Sequence, residues 1–243
     1  MPGLISTDYR ELLPEEVPAI AALHDKAWQD DALPMRQYET VLQEELGNLD
    51  SGNINVAFAA FVRCVNAMKP FVNRPKILDV GASSGHYKRL LDVIKFEHHY
   101  KACDYSAAFR EFAKGLWPDI DFDVADARAL PYRDGQFDIV MTGGMLMHIY
   151  EWQSVIAELA RVSSRYVILH RTPIVDGFLQ RDTRYFEKKA YGVPCLEVHF
   201  SEQMLLLVCA HHGLDLVYAT NIDNTNHKSY LFEQPDSLNH IQV

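Results

Sequence analysis

The chain has 243 residues, 48% of them hydrophobic and 23% charged, with 33 acidic against 23 basic side chains and a formal net charge of -10. That composition suffices for one sizeable core, which argues against a disordered or fibrous chain and fits a single α/β domain with an appended element. The acidic balance leaves no surplus of Lys and Arg to neutralise phosphates, so nucleic acid and anionic membranes are not the expected partners; a neutral or cationic small molecule fits better.

Residues 1–17 carry acids and prolines where a secretory leader needs a basic start and an apolar run. No stretch has the length of a membrane span, and the expectation is a cytoplasmic chain, monomeric or homodimeric. Cys64, Cys103, Cys195 and Cys209 lie far apart without a Cys-x-x-Cys pair. The paired histidines His98-His99 and His211-His212 do not converge on one point, so reduced thiols and no metal are expected.

Residues 1–70 read as a helical cap within the same domain. The segment 14–29 places Val17, Ile20, Leu23 and Trp28 at helical spacing, and the segment 34–46 ends at Gly47, read as its cap. A third helix at 53–68 lines up Val56, Phe58, Phe61, Val62 and Val65. From Lys76 short apolar runs alternate with helical segments, and strands are read at 76–80, 100–104, 120–124, 137–142 and 165–170. This is the pattern of a parallel sheet with helices on both faces. A helix at 201–212 then precedes strands at 214–219 and 228–232. Their short connection cannot hold a crossover helix, which makes them antiparallel neighbours.

The most informative segment is Lys76-Ile-Leu-Asp-Val-Gly-Ala-Ser-Ser-Gly-His-Tyr87. A strand running through Asp79 into Gly81 and Gly85 before a helix makes a tight turn whose backbone can approach a ligand closely. The dinucleotide spacing G-x-G-x-x-G is not met, since Ser83 and His86 occupy its second and third glycine positions, so a pyrophosphate is not the expected guest. Asp104 closes the second strand, where a carboxylate accepts hydrogen bonds from ribose hydroxyls. Asp126 and Ala127 follow the third strand, placed for an adenine amino group and ring. The fourth strand runs through Thr142 into Gly143, Gly144, Met147 and His148.

In that order and spacing the set resembles the class I S-adenosylmethionine-dependent methyltransferases, strongly over residues 76–170. The resemblance implies a Rossmann-like seven-stranded sheet of order 3-2-1-4-5-7-6 with strand seven antiparallel, helices on both faces, and the domain proper at 71–243. It implies S-adenosylmethionine as cofactor, with S-adenosylhomocysteine as product. Asp79, Gly81, Ala82, Ser83 and Gly85 would meet the amino-acid end, with Asp79 and the Gly81 carbonyl near its ammonium. Asp104 would hold the ribose with Tyr105 stacking nearby, Asp126 and Ala127 the adenine, and Thr142 and Gly143 the methionine portion. Ser83 departs from the family's middle glycine.

Methyl transfer from a sulfonium needs little acid catalysis, so the enzyme mainly positions the acceptor and excludes water. His148, beyond the fourth strand and near the start of a helix at 151–161, is the candidate general base, kept neutral by that helix N-terminus. The connection 171–200 reads as an unstructured insertion lining the acceptor site, with Arg171 and Tyr191 as substrate-binding candidates. Arg181, Arg184, Lys188 and Lys189 add positive charge there. From the cap, Trp28, Arg36, Gln37 and Tyr38 are read as closing over the site, Tyr38 as a substrate contact. The expected function is O- or N-methylation of a small molecule. A nicotinamide-dependent oxidoreductase and a non-catalytic S-adenosylmethionine-binding protein are the alternatives.

Overall fold

A computed structural model describes residues 9–175 and 182–235; Arg181 lies outside the described residues. The chain runs β1 (Arg10–Glu11), α1 (Val17–Ala27), α2 (Leu33–Gln37), a π-helical turn (Tyr38–Leu42), α3 (Gln43–Asp50) and α4 (Val56–Ala67). Then come β2 (Lys76–Val80), α5 (His86–Val93), β3 (His99–Asp104), α6 (Ala107–Leu116), β4 (Asp121–Val124) and β5 (Phe137–Gly143). A short 3-10 turn (Leu146–His148) leads into α7 (Trp152–Val162) and β6 (Ser163–Pro173). The rest is β7 (Arg184–Ala190), β8 (Val193–His199), α8 (Glu202–His211), β9 (Asp215–Asn221) and β10 (His227–Glu233).

Seven strands form one sheet in the order β4-β3-β2-β5-β6-β10-β9. The first five are parallel, and β10 runs antiparallel to both β6 and β9. This is the Rossmann-like order that the family resemblance implies. Neighbouring residues of each central strand enter opposite layers. Ile77, Ile139 and Ile168 join α4 and α5 through Phe58, Phe61 and Leu90, whereas Leu78, Val140 and Val167 join α7 and α8 through Ile156, Leu159 and Leu205. Burial on both faces is why these strands read as continuous apolar runs instead of alternating ones. Helix α7 shows the matching stripe, with Trp152, Val155, Ile156, Leu159 and Ala160 buried at helical spacing. Asn55 caps α4 by accepting from the Phe58 amide at 2.8 Å.

Two expectations are corrected. The insertion 171–200 is structured where described: β7 and β8 pair as an antiparallel hairpin, and β1 adds to β7 to make a second, three-stranded sheet. Tyr191 and Gly192 both take positive φ (52° and 81°), the two-residue turn whose twist matches paired strands. Gly47 does not end a helix but lies within α3, which continues to Asp50.

Among the described residues no helix is long and apolar enough to cross a membrane. All four cysteines are buried and unpaired. No group of three or more His, Cys, Asp or Glu side chains among the described residues is placed to hold a metal ion.

Candidate functional site

The connections leaving β2 and β5 depart in opposite directions along the sheet, so a crevice opens at their adjacent carboxyl ends. Gly81 follows β2 and Gly143 ends β5. The Gly81 and Ala82 amides both donate to the Cys103 carbonyl, at 2.9 and 3.0 Å, which pins the turn against the end of β3. Gly81 (φ 69°), Ser83 (φ 53°) and Gly85 (φ 71°) all take left-handed backbone. For Ser83 that conformation costs about 1–2 kcal/mol. Its hydroxyl donates to Gln37 Oε1 on the cap, so the residue in place of the middle glycine ties the turn to α2.

The Ser83 amide donates to Asp104 Oδ2 at 2.9 Å, and the Ser106 amide to Oδ1 at 3.0 Å. Burial raises the Asp104 carboxyl above the usual range while these amides pull it back. Asp104 is thereby oriented by backbone on both oxygens, with further lone pairs directed at the crevice it borders.

A cavity of about 200 Å³ occupies the crevice. Of the expected cofactor residues, Gly81, Ala82, Ser83, Asp104, Tyr105, Asp126, Ala127 and Gly143 line it. So do His148, Arg171 and Tyr191. Asp79, Gly85, Thr142 and Tyr38 do not. Asp79 is fully buried, accepts from the Tyr100 hydroxyl at 2.5 Å and leaves Oδ1 without a partner. Burial pushes its carboxyl up to about 7. Gly85 serves packing: a Cβ there would come 2.5 Å from Ile120 Cδ1. The Thr142 side chain is buried behind the lining. Tyr38 lies in the π turn, where the longer turn changes the helix phase, and packs edge-on against Phe112 at 5.6 Å instead.

At one end of the cavity, both oxygens of Asp126 accept from the Arg128 guanidinium at 2.9–3.1 Å. Burial would raise the Asp126 carboxyl, but Arg128 holds it below the usual range. Arg128 also reaches Asp25 on α1 at 2.9 Å and lies 5.9 Å from the centroid of the Tyr105 ring. The sequence reading gave Asp126 to an adenine and overlooked Arg128 two residues away, whose partner on α1 is distant in sequence.

His148 also lines the cavity. Its Nδ1 donates to the Leu196 carbonyl on β8 at 2.7 Å, and its ring stands 5.1 Å from that of Trp28. That bond leaves Nε2 as the unprotonated nitrogen. Burial lowers the imidazole to about 4, helped by the nearby Lys188 cation. The ring is therefore neutral for a different reason from the one the sequence suggested: it closes a 3-10 turn, packed against β8, and does not sit at the α7 N-terminus. Beside it on the hairpin, buried Glu197 pairs with Lys188 and with His199 Nε2 at 3.0 Å.

Arg171, Tyr191, Tyr87, His86 and Glu45 complete this part of the lining. Arg171 has φ 57°, and among the described residues no carboxylate lies within ion-pair distance of it. Glu45 Oε1 accepts from Asn55 Nδ2 at 3.1 Å, but Oε2 has no partner, nor have His86 Nε2 and the Tyr87 hydroxyl. Glu45, His86 and Tyr87 were not singled out in the sequence; only the fold brings α3 and α5 beside the end of β6.

Residues 78–167 match the family described as methyltransferase domain. Over 52 residues the chain is 42% identical to norajmaline N-methyltransferase of Rauvolfia serpentina, covering 21% of this chain and 18% of that one. Over 93 residues it is 34% identical to demethylmenaquinone methyltransferase of Renibacterium salmoninarum, covering 36% of each. The match spans half or less of the length of these curated relatives. The fold is similar to that of 1,6-didemethyltoxoflavin-N1-methyltransferase from Burkholderia thailandensis, solved with 1,6-didemethyltoxoflavin and S-adenosylhomocysteine. The TM-score is 0.58 at 15% identity, over 97% of this chain and 99% of that one.

Proposed function

We propose that the chain, whose residues 78–167 match the methyltransferase domain family, is a class I S-adenosylmethionine-dependent methyltransferase that transfers a methyl group from that donor to an oxygen or nitrogen atom of a small molecule. The observation that carries the reading is the pairing of Ser83 with Asp104. A left-handed turn after the first central strand aims its amide at a carboxylate ending the second, and both border one cavity.

The residues present fit the donor. Asp104 keeps lone pairs for ribose hydroxyls beyond those engaged by the Ser83 and Ser106 amides. Tyr105, Asp126 and Ala127 border the part that suits adenine, and unpartnered polar atoms on Glu45, His86 and Tyr87 mark another part of the lining as one that expects a polar guest. When bound, the donor supplies an electrophilic methyl on a sulfonium.

The chain's own residues then have three tasks. Trp28, Gln37 and Glu45 of the cap roof the cavity and keep water out. Tyr191, on the hairpin turn that borders the cavity, orients the acceptor. His148 Nε2, held bare by the Leu196 carbonyl, takes the proton of an acceptor hydroxyl or amine. A roofed cavity of this size favours a small acceptor over a macromolecule, and the small-molecule relatives named above agree with that choice.

The test is transfer of label from methyl-labelled S-adenosylmethionine to a panel of small phenols, amines and heteroaromatics. Labelled product supports the reading. Absence of label on every acceptor, with no calorimetric binding of donor or S-adenosylhomocysteine to folded protein, sinks it.

A further inference from the structure

We propose that Glu45 and Arg171 form a two-sided clamp for a zwitterionic α-amino-acid group, and that its occupant is the amino-acid end of the methyl donor. The inference rests on the methyltransferase reading and replaces the expected role of Asp79, which lies behind the cavity wall.

Three observations converge. The Arg171 guanidinium lines the cavity and has no carboxylate partner among the described residues, whereas a desolvated cation needs an opposing charge. Glu45, from the cap, presents a buried and unpartnered Oε2 to the same lobe. Arg171 and Glu45 feel each other's charge yet form no ion pair, which leaves an anionic and a cationic place side by side. The buried Tyr87 hydroxyl borders the same lobe, where its nearest charged neighbour is Arg171.

The location also fits. A Cβ on Gly143 would strike the Tyr87 ring, and one on Gly144 would lie 3.6 Å from Arg171 Cβ, so both side chains flank the mouth of β5 beside the Gly81 turn. A carboxylate on Arg171 and an ammonium on Glu45 would give each of the two charged side chains its opposite partner. Because Glu45 belongs to α3 and Arg171 to the end of β6, such a ligand bridges cap and sheet. The donor itself then holds the roof shut.

Calorimetry on the full chain compares S-adenosylhomocysteine with methylthioadenosine, which has the same nucleoside and sulfur but no amino-acid end. Wild type is expected to bind S-adenosylhomocysteine roughly tenfold to a hundredfold more tightly, the strength of one or two charged hydrogen bonds. Arg171→Met and Glu45→Gln are each expected to lose most of that advantage while binding methylthioadenosine as wild type does, which also shows that they fold. Equal affinity of wild type for the two ligands overturns the clamp and leaves the methyltransferase reading intact. Unchanged S-adenosylhomocysteine affinity in both variants, with saturable binding of glycine to the wild-type complex, assigns the clamp to an acceptor and overturns the proposal as stated. No binding of either ligand to wild type sinks the underlying reading as well.

Discussion

His148 Nδ1 lies 2.7 Å from the carbonyl oxygen of Leu196, so one ring nitrogen is spent on the backbone of the second sheet and the other stays bare toward the cavity. The hairpin β7–β8 thus acts at a distance, by fixing a tautomer. If the bare nitrogen takes the acceptor's proton, His148→Gln should lower turnover by about 10²–10⁴-fold. S-adenosylhomocysteine affinity should stay unchanged, since the donor's contacts lie elsewhere. Steady-state kinetics beside calorimetry separates the two, and undiminished turnover would leave His148 as a packing residue only.

The same burial sets a pH dependence of stability. His24 and His227 are lowered to about 4 and His86 to about 3, each chiefly by desolvation, as His148 is. Below the unfolded value near 6.5 the unfolded chain binds protons that the folded chain refuses, so these groups favour the fold above that pH and cease to do so as pH falls. Asp79, raised to about 7, opposes them, as do Asp104 and Glu45, both also raised by burial, but with His170 likewise lowered the buried imidazoles are five against three carboxyls. Denaturation midpoints should therefore fall between pH 6.5 and about 4.5, and His148→Gln should shallow that fall. A midpoint that rises on acidification contradicts the assignment of neutral buried imidazoles.

The sheet was legible because its central strands are buried on both faces and are written as apolar runs bounded by glycine turns. The hairpin was not. In β7 the residues Arg184, Glu187, Lys188 and Lys189 break any apolar alternation, and the buried Lys188–Glu197 pair that holds it appears only when the strands meet. The two residues of β1 pair with β7 across most of the chain, a contact that no local pattern encodes. Within the site, backbone-determined residues such as Gly81 and Asp104 were readable from the motif. Glu45 and Arg128 were not, because their meaning comes from partners on other elements.

Gly47 offers a test of the cap's helical register. It lies inside α3 with nothing within 4 Å of an added Cβ and no positive φ. Gly47→Ala should stabilise the protein by about 0.5–1 kcal/mol, the helix-propensity difference. The residue first read as a cap would instead be a weak point within a helix, and a loss of stability would restore the cap. Gly143→Ala is the opposite case: its Cβ would overlap the Tyr87 ring, so a cost of roughly 1–3 kcal/mol is expected by chemical denaturation.

Asp104→Asn separates nucleoside recognition from the amino-acid clamp. The amide side chain keeps one acceptor oxygen and places a donor toward either the Ser83 or the Ser106 amide, so the turn loses one of its two anchors. Affinity should fall by roughly tenfold or more for S-adenosylhomocysteine and methylthioadenosine alike, because both carry the ribose. A loss confined to S-adenosylhomocysteine would move Asp104 away from the sugar.

Whether the cap moves is best asked through Arg128. Deleting the residues before Ala57 would strip Leu12, Val17, Leu33, Leu42 and Leu49 from the core, all at most 6% exposed, and would remove β1 from its sheet. Such a chain should aggregate, which says nothing about a lid. Arg128 instead links Asp25 on α1 to Asp126 through a partly exposed ion pair, with side chains 24% and 36% exposed at the α1 contact. A pair of that exposure contributes up to about 1 kcal/mol. In Arg128→Ala, amide hydrogen exchange over Val17–Ala27 should therefore quicken by up to about fivefold while β2 and β5 keep their protection. Faster exchange throughout the sheet would mean that the cap opens only when the whole fold does.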